Sequence, residues 1–308
     1  MSKKESTLLW FIIKKITLSL VLILAVIISL YLVARLLPGD PITVLYGEAP
    51  PSEELRRIIE EKLYLDKPLY MQVLVYLRNI FSGNWGKSIF TGEPILEIVC
   101  RALYNSIILA MFTIILTTII CFLLAYLEFI CGSRLSPILS MVASATASIP
   151  TISWGAILML VAVRLHLHIF SNITLPLLTL TIAGTGIFYK LLRNSLLYAY
   201  QQSFILLYKA LGIGKGSLFL KLLRFVAPLF ISATLYRLGL IIAGAIAVEA
   251  LFAYPGMGKL FVDSLVSRDY PVLLGWSIAT SILLITINTA IDIIHSLIDP
   301  RVYSHVFK

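Results

Sequence analysis

Six long apolar runs alternate with polar segments along the chain. The runs cover residues 12–36, 103–127, 136–163, 174–198, 226–250 and 273–298. Each run reaches the length of about 20 apolar residues that an α-helix needs to cross a bilayer. The pattern therefore predicts an all-α polytopic membrane protein with six transmembrane helices, which we interpret as a single transmembrane domain covering residues 1–308.

The polar segment between the first two runs, residues 38–101, has helical patterns of its own. In PSEELRRIIEEKLYL, apolar residues recur at the spacing of one helical face, which predicts an amphipathic helix. The stretch LYMQVLVYLRNIF predicts a second helix, at the membrane interface. The segment is therefore expected to be structured outside the spans.

The composition agrees with a membrane protein. Hydrophobic residues make up 59% of the chain and charged residues 13%, whereas about a quarter of the residues in a soluble domain are charged. The net charge of +9 does not indicate nucleic acid as a partner, because the basic residues cluster between apolar runs and not among exposed aromatic side chains.

The distribution of charge predicts an orientation. Residues 1–15 hold four basic residues and one acidic residue, and residues 190–225 hold six basic residues and no acidic one. Since Lys and Arg in short loops stay in the cytoplasm, we expect both segments there. With six spans both termini are then cytoplasmic, and 38–101 and 249–271 lie outside a plasma membrane that the chain crosses several times.

No residues stand out as catalytic or metal-binding. The sequence GNWGKS lacks the first glycine of the phosphate-binding pattern GxxxxGK[ST], and His166 with His168 is a weak metal constellation. Any ATP chemistry is therefore expected in another chain. We predict no catalytic residue and no metal site here.

Among the ionisable residues inside predicted spans, where a charge is costly and often functional, Arg237, Asp292 and Glu249 are the candidate functional residues. Glu249 ends the fifth span, where it is expected either to reach water or to cap the turn that follows. Arg237 and Asp292 fall at similar depths of the fifth and sixth spans. An ion pair between them would relieve both costs. The alternative is that either residue lines a pore.

Two polar segments carry further signals. Residues 199–225 combine an apolar face with basic residues and a glycine-rich break, which fits either a membrane-surface helix or a docking helix for a cytoplasmic partner.

The stretch EALFAYPGMGKLFVDSLVSRDYP, residues 249–271, predicts a turn at YPGMG and then a short helix that turns Leu260, Phe261 and Leu265 towards the bundle. Its charged residues are expected to be solvated. Pro271 is expected in the first turn of the last span.

Several blocks resemble one transporter family. They are VEALFAYPGMGKLFVDSLVSRDYPVLLG, LLPGDP, LDKPLYMQ, GNWGKSIFTGEPILEIV and IDPRV. Together they make the chain similar to the membrane-spanning permease subunit of binding-protein-dependent ABC importers, in the dipeptide, oligopeptide and nickel permease family. The resemblance implies a type I importer fold and import of di- or oligopeptides, with oligosaccharides or nickel as alternatives. An ion-coupled secondary transporter is the less favoured alternative, because no inverted repeats are seen.

The resemblance also implies partners and no covalent chemistry in this chain. The partners are a second homologous permease subunit, two cytoplasmic ATPases that hold ATP and Mg, an extracellular substrate-binding protein and the lipid bilayer. This chain would bind no cofactor itself.

Two sets of site residues follow from the resemblance. The ATPase-coupling set, in the family's EAA loop and beside it, is Tyr208, Lys209, Ala210, Gly212 and Lys215. The set for the external gate and binding-protein contact is Glu249, Tyr254, Pro255, Gly256, Gly258, Asp263, Arg268 and Asp269. The chain departs from the family at Leu206, Leu207 and Leu211, where polar or basic residues are common, so the docking contacts are expected to be more apolar than usual.

Overall fold

The computed structural model describes residues 3–36, 52, 67–166 and 173–298. Within these ranges the regular structure is helical, apart from one isolated antiparallel bridge between Lys87 and Pro94. The α-helices are α1 Lys3–Leu36, α2 Leu69–Phe81, α3 Ile95–Cys131, α4 Ser136–Ser148, α5 Thr151–Arg164, α6 Thr174–Tyr200, α7 Ser203–Ala210, α8 Lys215–Gly244, α9 Ile246–Leu251, α10 Met257–Ser267 and α11 Tyr270–Ile298.

Five of the described helices are long and apolar enough to cross a membrane, and a sixth crossing results if α4 and α5 count as one. The five are α1, α3, α6, α8 and α11. The prediction of an all-α polytopic protein is therefore confirmed. The interfacial helix expected at LYMQVLVYLRNIF is α2, whereas the helix expected at PSEELRRIIEEKLYL lies outside the described residues, except for Ser52.

The third predicted span is broken into two helices at Pro150. Helices α4 and α5 meet at an angle of 99° around Ile149 and Pro150. Proline has no amide hydrogen to continue a helix, and it pushes the residue before it out of the helical region. Ile149 accordingly adopts an extended conformation, with φ −85° and ψ 127°.

The helix that contains the fifth predicted span begins earlier than the sequence predicts. We expect it to start at residue 226, but α8 already starts at Lys215. In its first turns, Leu218, Phe219 and Leu222 are buried while Lys215 is exposed. An amphipathic stretch thus runs without a break into an apolar one, and a search for apolar runs detects only the second part.

Contacts divide the chain into two compact units, and the first consists of Met1–Ser106 with Pro255–Ala290. Its core joins α3 through Ile95 and Val99 to Met257 of α10 and Val272 of α11. A second cluster joins α1, α2 and α11 through Ile27, Ile80 and Ile278.

The second unit consists of Ile107–Tyr254 with Ile291–Lys308. In it, α6 packs against α4, α5, α8 and α9. Its core contains Tyr189 and Leu192 of α6, Ile205 of α7 and Leu222 of α8, all nearly or fully buried. Helix α7 is therefore anchored in the same core as the spans α6 and α8.

The apolar surface of α1 supports the membrane assignment. Leu18, Leu20 and Leu22 are each about half exposed. In water such a continuous apolar surface would be unfavourable, whereas lipid tails are as apolar as these side chains.

The close approach of α4 and α6 depends on Gly186. A Cβ atom built there would lie 2.5 Å from Ala143 O and 2.9 Å from Ala147 N. These neighbours are backbone atoms, which cannot move aside independently of the helix. The two helices can therefore keep this distance only if residue 186 has no side chain.

We expect Gly186→Ala to lower stability by about 1–3 kcal/mol through overpacking. The matched control is Gly216→Ala in α8, where the nearest atom to a Cβ is Tyr126 Oη at 3.9 Å. It should be neutral or stabilise by up to about 1 kcal/mol, because alanine favours helix. Thermal unfolding of the purified variants measures both, and equal effects would contradict the packing argument.

Candidate functional site

The turn after α7 is built on a glycine in the left-handed region. Gly212 has φ +67° and ends α7 together with two backbone hydrogen bonds. Gly212 N donates to Lys209 O at 3.0 Å, and Ile213 N donates to Tyr208 O at 3.2 Å. The chain then enters α8 at Lys215. Glycine suits this position because other residues adopt positive φ only at a cost.

Helix α7 has one buried and one exposed side. Ile205 is fully buried, and the Phe204 ring contacts Tyr208 at 5.8 Å and Phe225 at 5.1 Å between centroids. The opposite side exposes the apolar side chains of Leu206, Leu207 and Leu211, by 70%, 59% and 67%. The helix is thus fixed to the core while it presents an apolar surface.

The predicted coupling residues lie mostly at the surface of this element. Lys209, Ala210, Gly212 and Lys215 are exposed, and Tyr208 is partly buried. Two lysines make cation–π contacts around α7. Lys209 Nζ lies 4.2 Å from the ring centroid of Tyr200, and Lys221 Nζ lies 4.7 Å from the ring centroid of Tyr208. These contacts attach α7 to α6 and α8.

A polar network that sequence reasoning missed connects three helices of the same unit. Arg193 Nε of α6 donates to Glu128 Oε1 of α3 at 2.7 Å, and Tyr189 Oη donates to Glu128 Oε2. Arg193 Nη2 donates to Ser136 Oγ of α4 at 2.9 Å. Arg193 falls inside the predicted fourth span, and that position is the signal that could have identified it.

The network borders a cavity of about 400 Å³, whose lining includes Lys215 at the start of α8. The side chains of Arg193 and Glu128 are 25% and 13% exposed. Buried charges require close partners, and here each has one. The network therefore ties α3, α4 and α6 together beside the helix that follows Gly212.

The YPGMG turn begins in the second unit, where two predicted gate residues are buried. Glu249 is 1% exposed and Tyr254 is 7% exposed, and Tyr254 N donates to Glu249 O at 2.8 Å. Burial, with a smaller contribution from the charge of Glu249, raises the pKa of the Tyr254 phenol. Of the two alternatives for Glu249, contact with water is wrong, because the residue is buried at the packed end of α9.

The next residues start α10 in the first unit. Pro255 O accepts a hydrogen bond from Asn105 Nδ2 at 2.8 Å, and Met257 N donates to Ser106 Oγ at 2.8 Å. Gly256 precedes the first turn of α10, and Gly258 is buried in it. The turn is thus fastened to α3 by side chains of α3.

Asp269 joins α10 to α11. Arg268 ends α10 in the left-handed region at φ 59°, and Asp269 Oδ1 accepts from Val272 N at 3.4 Å in the first turn of α11. Asp269 Oδ2 accepts from Ser88 Oγ at 2.6 Å. Asp269 is 4% exposed, so the expectation of solvation is wrong here too. The carboxylate is needed as an acceptor inside the fold.

The remaining predictions for this segment are mixed. Lys259 and Asp263 form an ion pair of 2.6 Å at the surface. Leu260 and Phe261 pack inward, with Phe261 4.6 Å from the Trp276 ring centroid. Leu265 is 55% exposed, so its predicted inward orientation is wrong. Pro271 lies in the first turn of α11 as predicted.

Arg237 lies in α8 beside a cavity of about 420 Å³ in the second unit. Its guanidinium donates to Leu180 O at 3.3 Å and lies 4.3 Å from the Phe188 ring centroid. Asp292, the partner expected from the sequence, does not contact it in the described part of the chain. The lining residues are Thr151, Leu180, Ala183, Gly184, Ile187, Phe188, Leu191, Ala233, Arg237 and Ile241.

Comparison with known proteins identifies the type of protein. Residues 127–304 match the family described as the binding-protein-dependent transport system inner membrane component. Residues 8–96 match the N-terminal part of membrane components of such systems. The chain belongs to this family. It is therefore the permease component of a binding-protein-dependent ABC importer, which works with a substrate-binding protein and an ATPase, and the resemblance found in the sequence is confirmed.

Three relatives are similar to this permease over nearly its whole length. The metal-staphylopine import system permease protein CntB of Staphylococcus aureus (strain Mu50) is 27% identical over 302 residues, 94% of this chain and 97% of the relative. The oligopeptide transport system permease protein AppB of Bacillus subtilis (strain 168) is 27% identical over 315 residues, which cover 95% of this chain and 98% of the relative. The probable peptide ABC transporter permease protein y4tP of Sinorhizobium fredii is 26% identical over 309 residues, which cover 95% of this chain and 98% of the relative.

We expect Arg193→Met to destabilise the permease by about 1.5–3 kcal/mol, because it leaves the Glu128 carboxylate without its cation in a mostly buried site. Adding Glu128→Gln should restore part of the loss, because the charge is then removed. Thermal unfolding of the single and double variants measures the coupling.

Arg101→Met is the matched control for this variant. Its partner Glu93 and Arg101 itself are 49% and 64% exposed, so the loss should stay below about 1 kcal/mol. Strictly additive effects of Arg193→Met and Glu128→Gln would show that the network is not a unit.

Proposed function

We propose that this chain is one of two homologous permease subunits that form the translocation pathway of an ATP-driven importer of di- and oligopeptides. Two cytoplasmic ATPase subunits bind ATP and Mg and carry out hydrolysis, so this chain holds no cofactor. An extracellular binding protein delivers the substrate. The observation that carries the proposal is the family match over residues 127–304.

Peptides are the preferred substrate because AppB and y4tP, two of the relatives named above, carry peptide or oligopeptide transport in their names. A metal complex is the second candidate. CntB, at similar identity and coverage, is named for metal-staphylopine import.

The element that includes α7 and Gly212 is the proposed contact with an ATPase. Its exposed Leu206, Leu207 and Leu211 offer an apolar ridge of the kind that an amphipathic helix lays into a groove. Because Ile205 is buried in the core shared by α6 and α8, a push on α7 is passed directly to these two spans. Such a rigid connection is what rocking between inward and outward access requires.

The proposed orientation places both termini and residues 199–225 in the cytoplasm and residues 249–271 outside. The basic residues of 190–225 support it. The outer side then contains α10, whose exposed Leu265 and Val266 form the proposed contact with the loaded binding protein. At one end of the segment the buried Asp269 accepts a hydrogen bond from Ser88 Oγ, and at the other end the backbone carbonyl of Glu249 accepts one from Tyr254 N.

Cysteine labelling tests this orientation. With Cys100, Cys121 and Cys131 replaced by serine or alanine, we introduce Val266→Cys in α10 or Leu207→Cys in α7, at positions 79% and 59% exposed. The variants are expressed without the ATPases, so that the proposed docking surface of α7 stays uncovered. A membrane-impermeant maleimide added to intact cells should label only Val266→Cys, and permeabilised cells should show labelling of both. Labelling of Leu207→Cys in intact cells would contradict the orientation.

Reconstitution tests the function. The permease, purified with its second permease and ATPases into vesicles with the binding protein, should import peptides only when ATP is supplied. Gly212→Trp should lower uptake by about tenfold or more while ATP hydrolysis continues, because a bulky side chain at the exposed turn keeps α7 from its partner.

Gly92→Trp is the matched control and should keep normal uptake. Gly92 has φ +69° and no atom within 4 Å of a Cβ, as Gly212 does, so both variants have similar backbone strain and only one alters the α7 surface. Normal uptake by Gly212→Trp would refute the coupling role. An active transporter isolated without ATPases would refute the proposed function itself.

A further inference from the structure

The guanidinium of Arg237 has few protein partners for a buried cation. The residue is 9% exposed. A guanidinium carries five N–H donors, and among the described residues its hydrogen-bond acceptor is Leu180 O, at the long distance of 3.3 Å. The Phe188 ring supplies a cation–π contact on one face. Most of the donor capacity therefore remains for another acceptor.

Gly184 makes the position of this cation possible. A Cβ atom built on Gly184 would overlap the Arg237 guanidinium. The backbone of α6 and the side chain from α8 thus meet at a contact that admits no larger residue. The packing of α6 against α8 thus fixes the guanidinium at the wall of the cavity.

The surroundings call for an anion. No carboxylate contacts the guanidinium within the part of the chain that the structure describes, and the other lining side chains are apolar or hydroxyl-bearing. An uncompensated cation in such a place is costly. A carboxylate matches the planar fork of arginine with two parallel hydrogen bonds, so it is the ligand group that this site favours.

We propose that Arg237 and the adjoining cavity form a carboxylate-binding site on the translocation pathway, which selects solutes that carry a carboxylate, such as the C-terminus of a peptide. The site lies between α6 and α8, both long enough to span the membrane. Its volume of about 420 Å³ accommodates a few residues of an extended chain. This inference rests on the proposed function and deepens it by naming the chemical class of the substrate.

Binding to the assembled transporter in lipid nanodiscs tests the site without the binding protein. The probe is N-acetyl-tetra-alanine with ¹³C in its last residue, compared with the corresponding amide, which lacks the carboxylate. Saturation transfer from protein to probe measures binding. The wild-type complex should favour the acid about tenfold, as one charge-assisted pair allows.

Arg237→Met should abolish the preference for the acid. Arg164→Met, at an exposed arginine in the last turn of α5, is the matched control and should keep it. Arg237→Lys should keep only a small part of the preference for the acid, because an ammonium lacks the planar fork of a guanidinium. This variant serves as the test if Arg237→Met does not assemble. A preference retained in both Arg237 variants, or absent from the wild type, would overturn the proposal.

Asp292→Asn distinguishes a substrate site from an internal ion pair. If Arg237 serves the substrate, this variant should bind the acid as the wild type does. Stronger binding of the acid would mean that Asp292 normally occupies the guanidinium, which would also overturn the proposal. Failure of the proposed function looks different: the complex would show no ATP-dependent uptake of any substrate, whatever its preference for the acid.

Discussion

The absence of side chains at two positions of α6 determines how the second unit packs. Gly186 lets the backbone of α4 come within contact distance, and Gly184 leaves the space in which the Arg237 guanidinium lies. Since α6 also contacts α5 and α9, it is the helix around which the unit is arranged. Membrane helices cannot gain by hiding apolar surface from lipid, so close packing of this kind is what holds them together.

The charged residues inside these helices differ in how many hydrogen-bond and ion-pair partners they have within the protein. This difference separates structural residues from candidate ligand-binding ones. Glu128 and Arg193 meet each other, and Tyr189 and Ser136 complete the set. That arrangement is structural in character, because every charge has its partner within the protein. Arg237 is the contrasting case, with a long bond to one carbonyl. A cation supported on one side and open to a cavity on the other is suited to a passing anion.

The YPGMG segment shows how far sequence reasoning reached. Its turn, its short helix and the place of Pro271 are confirmed, because glycine and proline act locally. The burial of Asp269 and the exposure of Leu265 were predicted wrongly, because whether a side chain is buried depends on which helices surround it. Asp269, for example, is held by Ser88, a residue distant in sequence.

The sequence by itself determined the protein class, the helical architecture and the family, since long apolar runs and short motif blocks are local properties of the chain. It also located the proposed coupling element near Gly212, because a glycine-rich break and a basic amphipathic stretch can both be recognised from the order of residues. Only the tertiary structure decided that the third span is bent by 99°, that Glu128 pairs with Arg193, and that Arg237 lies against Gly184 and not against Asp292. Each of these outcomes requires knowing which helix faces which, and apolar periodicity does not specify that when lipid and protein are equally apolar surroundings.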